Sequence, residues 1–368
     1  MKRINKLWFT FLLLYIVLIL VTLKFSSSYT SFLFKVEKDV PALSSPVNVT
    51  KIHRFSQGNY NHASTMATNG DDLYVSWYGG PKEHVPAVSI FFASGKTVDG
   101  KLIFSKTINV VDQSTIEVRE GRHIHTLGNP ILYQGKHKLW LFFVTTFGGW
   151  ATSSINQVYS TDGGQTWSDP KMVITSALFN MSTLTRGNPI KLQGGLFAIP
   201  MYYELATKSG IFIVFNEEGE VVNIREMSWN TFTLQPLVIP LSSTKALAFF
   251  RRAGHSIKKA YYSYTNDGGY SWSDSVPTIL DNPDSGISAF RTKSGIAMIY
   301  NNETDSKRSN LSIATSSLPY KDEWHQVYSF SNPKQVQMSY PFTIIYKGSF
   351  YLSYSADSNH AIELVKLK

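Results

Sequence analysis

The stretch GNPILYQGKHKLWLFF (residues 128–143) recurs as GNPIKLQGGLFAIP at residues 187–200. Each copy reads as a short apolar strand, a turn at glycine and a second strand, which is the pattern of a β-hairpin. The pattern recurs with other opening residues, and its six starts fall at residues 62, 129, 188, 235, 285 and 340. Self-similarity at a spacing near fifty residues is typical of repeat architectures.

A second repeated element lies further along these units. Ser160–Trp167 (STDGGQTW) and Thr265–Trp272 (TNDGGYSW) share the pattern S/T-x-D-x-G-x-T/S-W. We expect a β-turn in which the aspartate accepts backbone N–H bonds, glycine takes a positive φ, and tryptophan packs on the neighbouring unit. This chemistry predicts a structural role for Asp162 and Asp267.

Six units over residues 46–368 leave enough chain for a four-stranded blade in each unit. The sequence therefore predicts an all-β fold, a six-bladed β-propeller. The last unit has only three strand-like runs, so we expect Val47–Phe55 to supply its missing strand and close the ring. A two-sheet sandwich is the alternative, and the regular spacing argues against it.

Composition excludes several classes of protein. The 368 residues are 43% hydrophobic, which excludes a disordered chain, and they include no cysteine. Disulfides, thiolate metal sites and cysteine nucleophiles are thereby excluded. The net charge of +9 suits an acidic ligand but is too diffuse to indicate nucleic-acid binding. No cofactor and no metal site is expected.

The amino terminus has its own pattern. An uncharged apolar run of 17 residues, 7–23, follows Lys2, Arg3 and Lys6. We expect residues 1–24 to form a cytoplasmic tip and a transmembrane anchor, or a signal segment if it is cleaved. The basic residues would stay inside, which places the propeller on the extracytoplasmic side, or secretes it after cleavage. Residues 25–45 are expected to form a stalk.

The repeat register predicts a site. In a propeller the innermost strands surround the axis, so their starts and the ends of the strands that follow face one shared cup. The starts carry His62, Asn129, Asn188, Gln235, Ser285 and Tyr340. Near the ends of the second strands, or close by, lie Tyr78, Glu204, Arg251, Tyr354, Asp284, Asn301 and Arg308.

The repeated elements resemble the Asp boxes of sialidases and related BNR-repeat proteins. An ordered set of segments, beginning with HASTMATNGDDLYVSWYGG and ending with SYPFTIIYKGSFYLSY, is similar to the sialidase-like BNR subfamily described as exo-sialidases. The likeness covers roughly residues 55–368. It implies a propeller and a glycosidase that acts on an acidic sugar.

The resemblance also implies roles for individual residues. Arg251 and Arg308 look like two of the arginines that hold the sugar carboxylate, and Tyr340 looks like the nucleophile. Bidentate pairing with a carboxylate explains why arginine suits the first task. The sequence departs from the family at Gln235, where a tyrosine-activating glutamate is expected, and it lacks the Phe-Arg-Ile-Pro segment of the first arginine.

These departures leave it undecided which residues act as the general acid and the general base. Glu83 and His84 stand where the family has an aspartate, and His62 or Glu204 would have to take the proton of Tyr340. Sugar hydroxyls and the sugar ring would contact further side chains, namely Gln235, Asn129, Asp284 and Asn301 by hydrogen bonds, and Trp150 or Tyr78 by stacking.

Three functions are consistent with this cup. The first is an exo-acting glycoside hydrolase, sialidase-like, that acts on a terminal acidic sugar of an extracytoplasmic glycan. The second is a polysaccharide lyase, in which His62 or Tyr340 removes the C5 proton of a uronic acid while arginine neutralises its carboxylate. The third is a glycan-binding propeller without catalysis.

Overall fold

The computed structural model describes residues 8–18, 32–176, 180, 182–205, 208–228, 231–254, 257–317 and 323–368. Their strands form six antiparallel sheets, each built almost entirely from consecutive strands. Successive sheets contact one another through their innermost strands, and the sixth returns to the first. The predicted six-bladed β-propeller is confirmed.

The blades have the following strands. Blade 1 contains β2 (Tyr60–Thr68), β3 (Asp72–Gly80), β4 (Ser89–Val98) and β5 (Lys101–Phe104), with β6 (Ile108–Asp112) also paired to β4. Blade 2 contains β7 (Thr126–Gln134), β8 (Leu139–Thr146), β9 (Ser153–Ser160) and β10 (Lys171–Met172). Blade 3 contains β11 (Thr183–Thr185) and β12 (Ile190–Lys191), both paired to β13 (Phe197–Glu204), then β14 (Lys208–Phe215) and β15 (Val221–Glu226).

The second half of the ring is built in the same way. Blade 4 contains β16 (Thr233–Pro240), β17 (Ala246–Arg252), β18 (Lys259–Thr265) and β19 (Val276–Asp281). Blade 5 contains β20 (Ser288–Thr292), β21 (Gly295–Asn301), β22 (Leu311–Ser316) and β23 (His325–Ser329). Blade 6 contains β24 (Ser339–Tyr346), β25 (Ser349–Ala356), β26 (Ala361–Leu367) and β1 (Val49–Phe55). Helices span residues 8–18 (α1) and Gln113–Glu120 (α2), and short 3-10 turns span Trp150–Thr152 and Gln193–Gly195.

The ring closes between the two ends of the propeller. Strand β1 pairs antiparallel with β26, from Val49 opposite Leu367 to Phe55 opposite Ile362. The expectation that residues 47–55 complete the last blade is therefore confirmed over Val49–Phe55. Pairing satisfies the backbone groups that the outer edge of β26 would otherwise expose.

Neighbouring blades share their apolar faces. The middle strand β8 is buried along its whole length, because blades on both sides cover its two faces. The aromatic rings of Phe142 in blade 2 and Phe215 in blade 3 lie 5.0 Å apart between their centroids. Burial of such rings is the main stabilising term of the interior.

The two Asp boxes act as predicted. Asp162 accepts hydrogen bonds from Thr166 and Gln165, and these bonds hold the pKa of its carboxyl well below the usual range. Trp167 donates to the carbonyl of Gly164, and its ring lies 5.3 Å from Phe92 of blade 1. The motif thus ties one blade to the next and is structural.

A β-bulge recurs at the start of four innermost strands. In blades 1, 2, 4 and 6 two residues of the inner strand stand opposite one residue of its partner. The first bulge residue in each case has a left-handed backbone, at Ala63, Asn129, Gln235 and Tyr340. A bulge redirects the side chain of its extra residue. These bulges aim side chains at the axis on one end of the propeller.

The predicted membrane segment lies partly outside the described residues. Residues 8–18 form α1, whose side chains are exposed. In the parts of the chain that the structure describes, no helix combines the length and apolar composition that crossing a bilayer requires.

The expectation of a stalk over residues 25–45 is wrong for residues 32–45, which we call the strap. Phe34 is buried against Phe212, and its N–H donates to the carbonyl of Ser243. The carbonyl of Phe32 occupies the space that a Cβ at Gly268 would need, which explains the glycine there. The polar residues near Phe32 and Phe34 hid this apolar anchor in the sequence.

The strap crosses the end of the propeller opposite the bulges. Backbone hydrogen bonds join Lys35 to Lys191 and Lys293 to Pro41. Lys191 is the last residue of β12 in blade 3, and Lys293 directly follows β20 in blade 5. The strap therefore spans blades 3 to 5 on the far side from the cup.

Phe34→Ala tests whether the strap is part of the folded propeller. Loss of a buried phenylalanine is expected to lower the free energy of unfolding by about 3–5 kcal/mol, measured by urea denaturation. Leu33→Ala is the matched control, since Leu33 is exposed, and it should change that free energy by less than about 0.5 kcal/mol. Equal stabilities of the two variants would contradict the assignment.

Candidate functional site

Tyr340 lies at the centre of the predicted cup. It is the first bulge residue of β24, its φ is +56°, and its side chain is nearly buried. The phenol oxygen lies 3.5 Å from Nη1 of Arg251 and 3.4 Å from Nε2 of Gln235. Three residues from blades 4 and 6 that were predicted from the repeat register therefore meet at one oxygen atom.

Two guanidinium groups share an anchor beside Tyr340. The carbonyl oxygen of Asp284 accepts from Nη1 of Arg251 at 3.2 Å and from Nη2 of Arg308 at 2.9 Å. The carboxylate of Asp284 also faces Nε of Arg251 at 3.5 Å. Arg308 lies with its Cζ 5.9 Å from the centre of the Tyr340 ring. One short loop thus holds both cations in place.

The neighbouring arginine points elsewhere. Arg252 donates from Nη1 to the hydroxyl of Tyr261 at 2.9 Å, outside the cup. Successive residues of a strand face opposite sides of the sheet, so only Arg251 of this pair can reach the axis.

The surroundings of Tyr340 favour its ionised form. Burial raises the pKa of the phenol, but the charges of Arg251 and Arg308 lower it by more, and the amide of Gln235 lowers it further. The net result is a pKa below the ordinary value of a tyrosine. A larger fraction of such a tyrosine is ionised near neutral pH, and the phenolate is the nucleophilic form.

His62 packs directly on Tyr340. The ring centroids lie 4.3 Å apart, and the imidazole is buried. Burial lowers the pKa of His62 to about 4, and the charges of Arg186 and Arg308 act in the same direction. Its Nδ1 has no hydrogen-bond partner among the described residues. The imidazole is therefore neutral at physiological pH, and its Nδ1 is not engaged by another described residue.

The opposite rim of the cup carries a carboxylate. Tyr78 donates its hydroxyl hydrogen bond to Oε1 of Glu83 at 3.0 Å, and Glu83 remains about one-third exposed. Burial raises the pKa of Glu83, but His62 and the neighbouring hydroxyls lower it by more, so the group is ionised. Trp150 stands beside it, with its indole N–H 3.2 Å from Nε2 of His84.

Some predicted residues have other tasks. Asn301 is fully buried, and both ends of its amide are used, by the hydroxyl of Ser285 and the carbonyl of Met338. Asn301 therefore joins two loops inside the protein, and its contact with a sugar hydroxyl stays a prediction. Glu204 forms an ion pair with Lys208 at 2.8 Å and makes no hydrogen bond with Tyr340 in the described structure.

Other predicted residues lie at the cup in supporting positions. Gln235 is buried, and its amide N–H₂ faces the hydroxyls of Tyr202 and Tyr340, so it supports Tyr340 rather than an exposed sugar hydroxyl. Asn129 is the first bulge residue of blade 2, next to Gly128, which packs against Trp150.

Two site residues escaped the sequence reasoning. Arg186 is buried and donates to the backbone of Tyr340. A Cβ at Gly286 would lie only 3.2 Å from Oε1 of Gln235 and 3.5 Å from the ring of Tyr340, so glycine avoids a tight contact there. Arg186 directly precedes the repeated Gly187-Asn188-Pro189, where the other copy has Leu127. A charged residue at an apolar position of the repeat was the signal that could have revealed it.

The chain resembles a family of known proteins and several solved structures. The family model for the BNR repeat-like domain matches residues 71–352. Among solved structures, a Hadza microbial sialidase superposes with a TM-score of 0.66 at 15% identity, over 83% of this chain and 65% of that one. The NanB sialidase from Streptococcus pneumoniae, in complex with 2-[(3-chlorobenzyl)ammonio]ethanesulfonate, gives 0.65 at 11% identity, over 87% of this chain and 70% of that one.

A third similar structure is a protein of unknown function from Dyadobacter fermentans. Its TM-score is 0.66 at 13% identity, over 89% of this chain and 100% of that one. At such identities the likeness concerns the fold alone. This chain spans about two thirds of the length of the two sialidases. A search of the curated proteins gives no significant match.

Arg251→Gln tests the electrostatic account of Tyr340. Removal of the cation should move the ionisation of Tyr340 to higher pH, because Arg251 is the largest influence that lowers its pKa. The measurement is the tyrosinate difference absorbance during alkaline titration, with Tyr340→Phe in each background to identify the signal. Arg252→Gln is the matched control and should leave the midpoint unchanged. A midpoint unmoved by Arg251→Gln would contradict the account.

Proposed function

The chain belongs to the BNR repeat-like family, and from that premise we propose that it is an exo-acting glycosidase, sialidase-like, which removes a terminal acidic sugar from a glycan. Support comes from the fold, which it shares with two solved sialidases. Further support comes from the arrangement of charges in the cup, where cations and a tyrosine converge on one end of the propeller.

The observation that carries the proposal is the joint anchoring of Arg251 and Arg308 beside Tyr340. Both guanidinium groups bind the carbonyl of Asp284, so they are held in fixed positions before any ligand arrives. Paired guanidinium groups bind a carboxylate strongly and with a defined direction. A sugar acid held in this way would place the carbon that bears the carboxylate next to the phenol oxygen.

The proposed reaction has two steps. In the first, the oxygen of Tyr340 bonds to the anomeric carbon while the bond to the leaving oxygen breaks, and the proton of the phenol passes to neutral His62. Glu83 protonates the leaving oxygen. In the second, Glu83 removes a proton from water, which attacks the anomeric carbon while the bond to Tyr340 breaks, and the phenolate that leaves takes its proton back from His62.

Glu83 needs a proton for the first step although it is ionised in the empty cup. A bound sugar carboxylate places a second negative charge close to Glu83, and like charges disfavour ionisation. Binding of the substrate would therefore raise the pKa of Glu83 toward that of a useful acid.

A uronate lyase is the second candidate. It is favoured by His62, whose buried neutral imidazole lies against Tyr340, and by the presence of Gln235 where a carboxylate base would stand. In this reaction His62 or Tyr340 removes the C5 proton, the bond to the oxygen at C4 breaks, and a C4–C5 double bond forms. The same two residues supply the proton that the leaving oxygen takes up. Arg251 and Arg308 would stabilise the charge that develops on the carboxylate.

Tyr340→Phe tests the proposed function. The wild-type chain should release the aglycone from an aryl sialoside, and loss of the nucleophile should lower kcat by about 10³-fold or more. Tyr354→Phe is the matched control. The repeat register predicted Tyr354 at the cup, but in the structure its buried ring packs on Phe330, and the charged groups near its hydroxyl are Glu363 and Arg54 rather than cup residues. This variant should retain turnover.

The same preparation separates the two candidates. Ultraviolet absorbance from an unsaturated uronate, without release of aglycone from any sialoside, would contradict the glycosidase and support the lyase. Sialoside hydrolysis that survives Tyr340→Phe would contradict the assignment of the nucleophile.

A further inference from the structure

Arg186 is a buried cation that comes from the side of the ring opposite Tyr340. It follows β11 in blade 3, in the break between β11 and β12, and only 4% of it is exposed. In a ring of six blades, blade 3 stands opposite blade 6, which carries Tyr340. The side chain of Arg186 therefore crosses the axis beneath the cup.

All of the hydrogen bonds of this guanidinium go to backbone carbonyls. Nη2 donates to the carbonyls of Tyr340 at 2.7 Å and Pro341 at 3.1 Å, and Nη1 donates to that of Ser64 at 3.1 Å. Tyr340 and Pro341 form the bulge of blade 6, and Ser64 is the second bulge residue of blade 1. One side chain thus binds two bulges on neighbouring blades.

These bonds stabilise a strained backbone. A residue other than glycine is disfavoured in the left-handed conformation, and Tyr340 has this conformation with φ +56°. A bulge also takes carbonyl groups out of the strand ladder, and buried carbonyls need donors. Arg186 supplies those donors.

The guanidinium also contributes its charge. Its Cζ lies 5.3 Å from the centre of the Tyr340 ring. Burial lowers the pKa of Arg186 to about 10, with the Tyr340 charge opposing that change, so the group remains cationic at neutral pH. The same charge helps to keep His62 neutral. Arg186 is thus close to both partners of the proposed proton transfer.

We propose that Arg186 is a positioning residue, which holds the bulge of blade 6 so that the phenol of Tyr340 faces Arg251 and Arg308. The inference rests on the proposed function for its catalytic consequence. Arg186 does not bind the sugar itself, because both Nη atoms are used by the backbone and the side chain is buried under Tyr340.

Arg186→Lys is the direct test, because lysine keeps the charge but loses the planar fork. We expect the ionisation of Tyr340 to move to higher pH in the tyrosinate titration. With an aryl sialoside, kcat should fall by about 10–100-fold while KM changes by less than about 3-fold, the pattern expected when the reacting group is misplaced. Arg252→Lys is the control, since Arg252 lies over Tyr261 at 5.2 Å as Arg186 lies over Tyr340. It should change neither quantity.

Two results would overturn the proposal. One is a Tyr340 midpoint in Arg186→Lys equal to that of the wild type. The other is a rise in KM with kcat unchanged, which would make Arg186 a ligand of the substrate. If the wild-type chain hydrolyses no sialoside, the proposed function fails, and the titration still tests the positioning role.

A second variant covers the case in which Arg186→Lys does not fold. Glycine adopts the left-handed conformation without strain, so Tyr340→Gly should remove much of the need for Arg186. The variant with both Arg186→Lys and Tyr340→Gly is expected to be soluble. Arg186→Lys should lower the thermal stability less when Tyr340 is already glycine than it does in the wild-type chain. Equal losses in the two backgrounds would contradict the proposal.

Discussion

The site depends on a backbone feature, the β-bulge at the start of an innermost strand. In four blades the first bulge residue adopts a left-handed conformation, although none of the four is glycine. Asp284 and Arg308 also have positive φ, so several strained backbone positions lie around the cup. Such strain persists only where the surrounding structure fixes it, and it recurs at functional sites. Here the ring of blades, closed by β1 and crossed by the strap, provides that frame.

The bulges bring opposite charges together in a poorly hydrated space. Arg251, Arg308 and Arg186 supply three cations around Tyr340, while Glu83 and Asp284 lie at the rim. Interactions between charges are stronger there than in water. The cations lower the pKa of Tyr340 and, together with burial, keep His62 neutral. In the proposed reaction these two residues are the nucleophile and the proton acceptor. The same cations favour an anionic ligand, which connects the electrostatics of the empty cup to the proposed substrate.

Much of the fold and part of the site could be predicted from the sequence, because both depend on the repeated hairpin. The hairpin spacing predicted six blades, the incomplete last unit predicted the closing strand, and the register brought Arg251, Arg308 and Tyr340 together. The sequence does not reveal hydrogen bonds between residues that are far apart in the chain. Asn301 is buried and hydrogen-bonded to Ser285 and to the distant Met338. In blade 1 the predicted start of the repeat is one residue too early, because Ala63 rather than His62 is the first bulge residue. The burial of Phe34 depends on blades that its own segment does not reveal.

The central claim is that Arg251, Arg308 and Tyr340 form one site for a sugar acid. The most direct measurement is a crystal structure of the chain soaked with N-acetylneuraminic acid. The account predicts that the sugar carboxylate lies within hydrogen-bond distance of both guanidinium groups and that the anomeric carbon faces the phenol oxygen of Tyr340. A sugar bound with its carboxylate away from both arginines, or bound outside the cup, would contradict it.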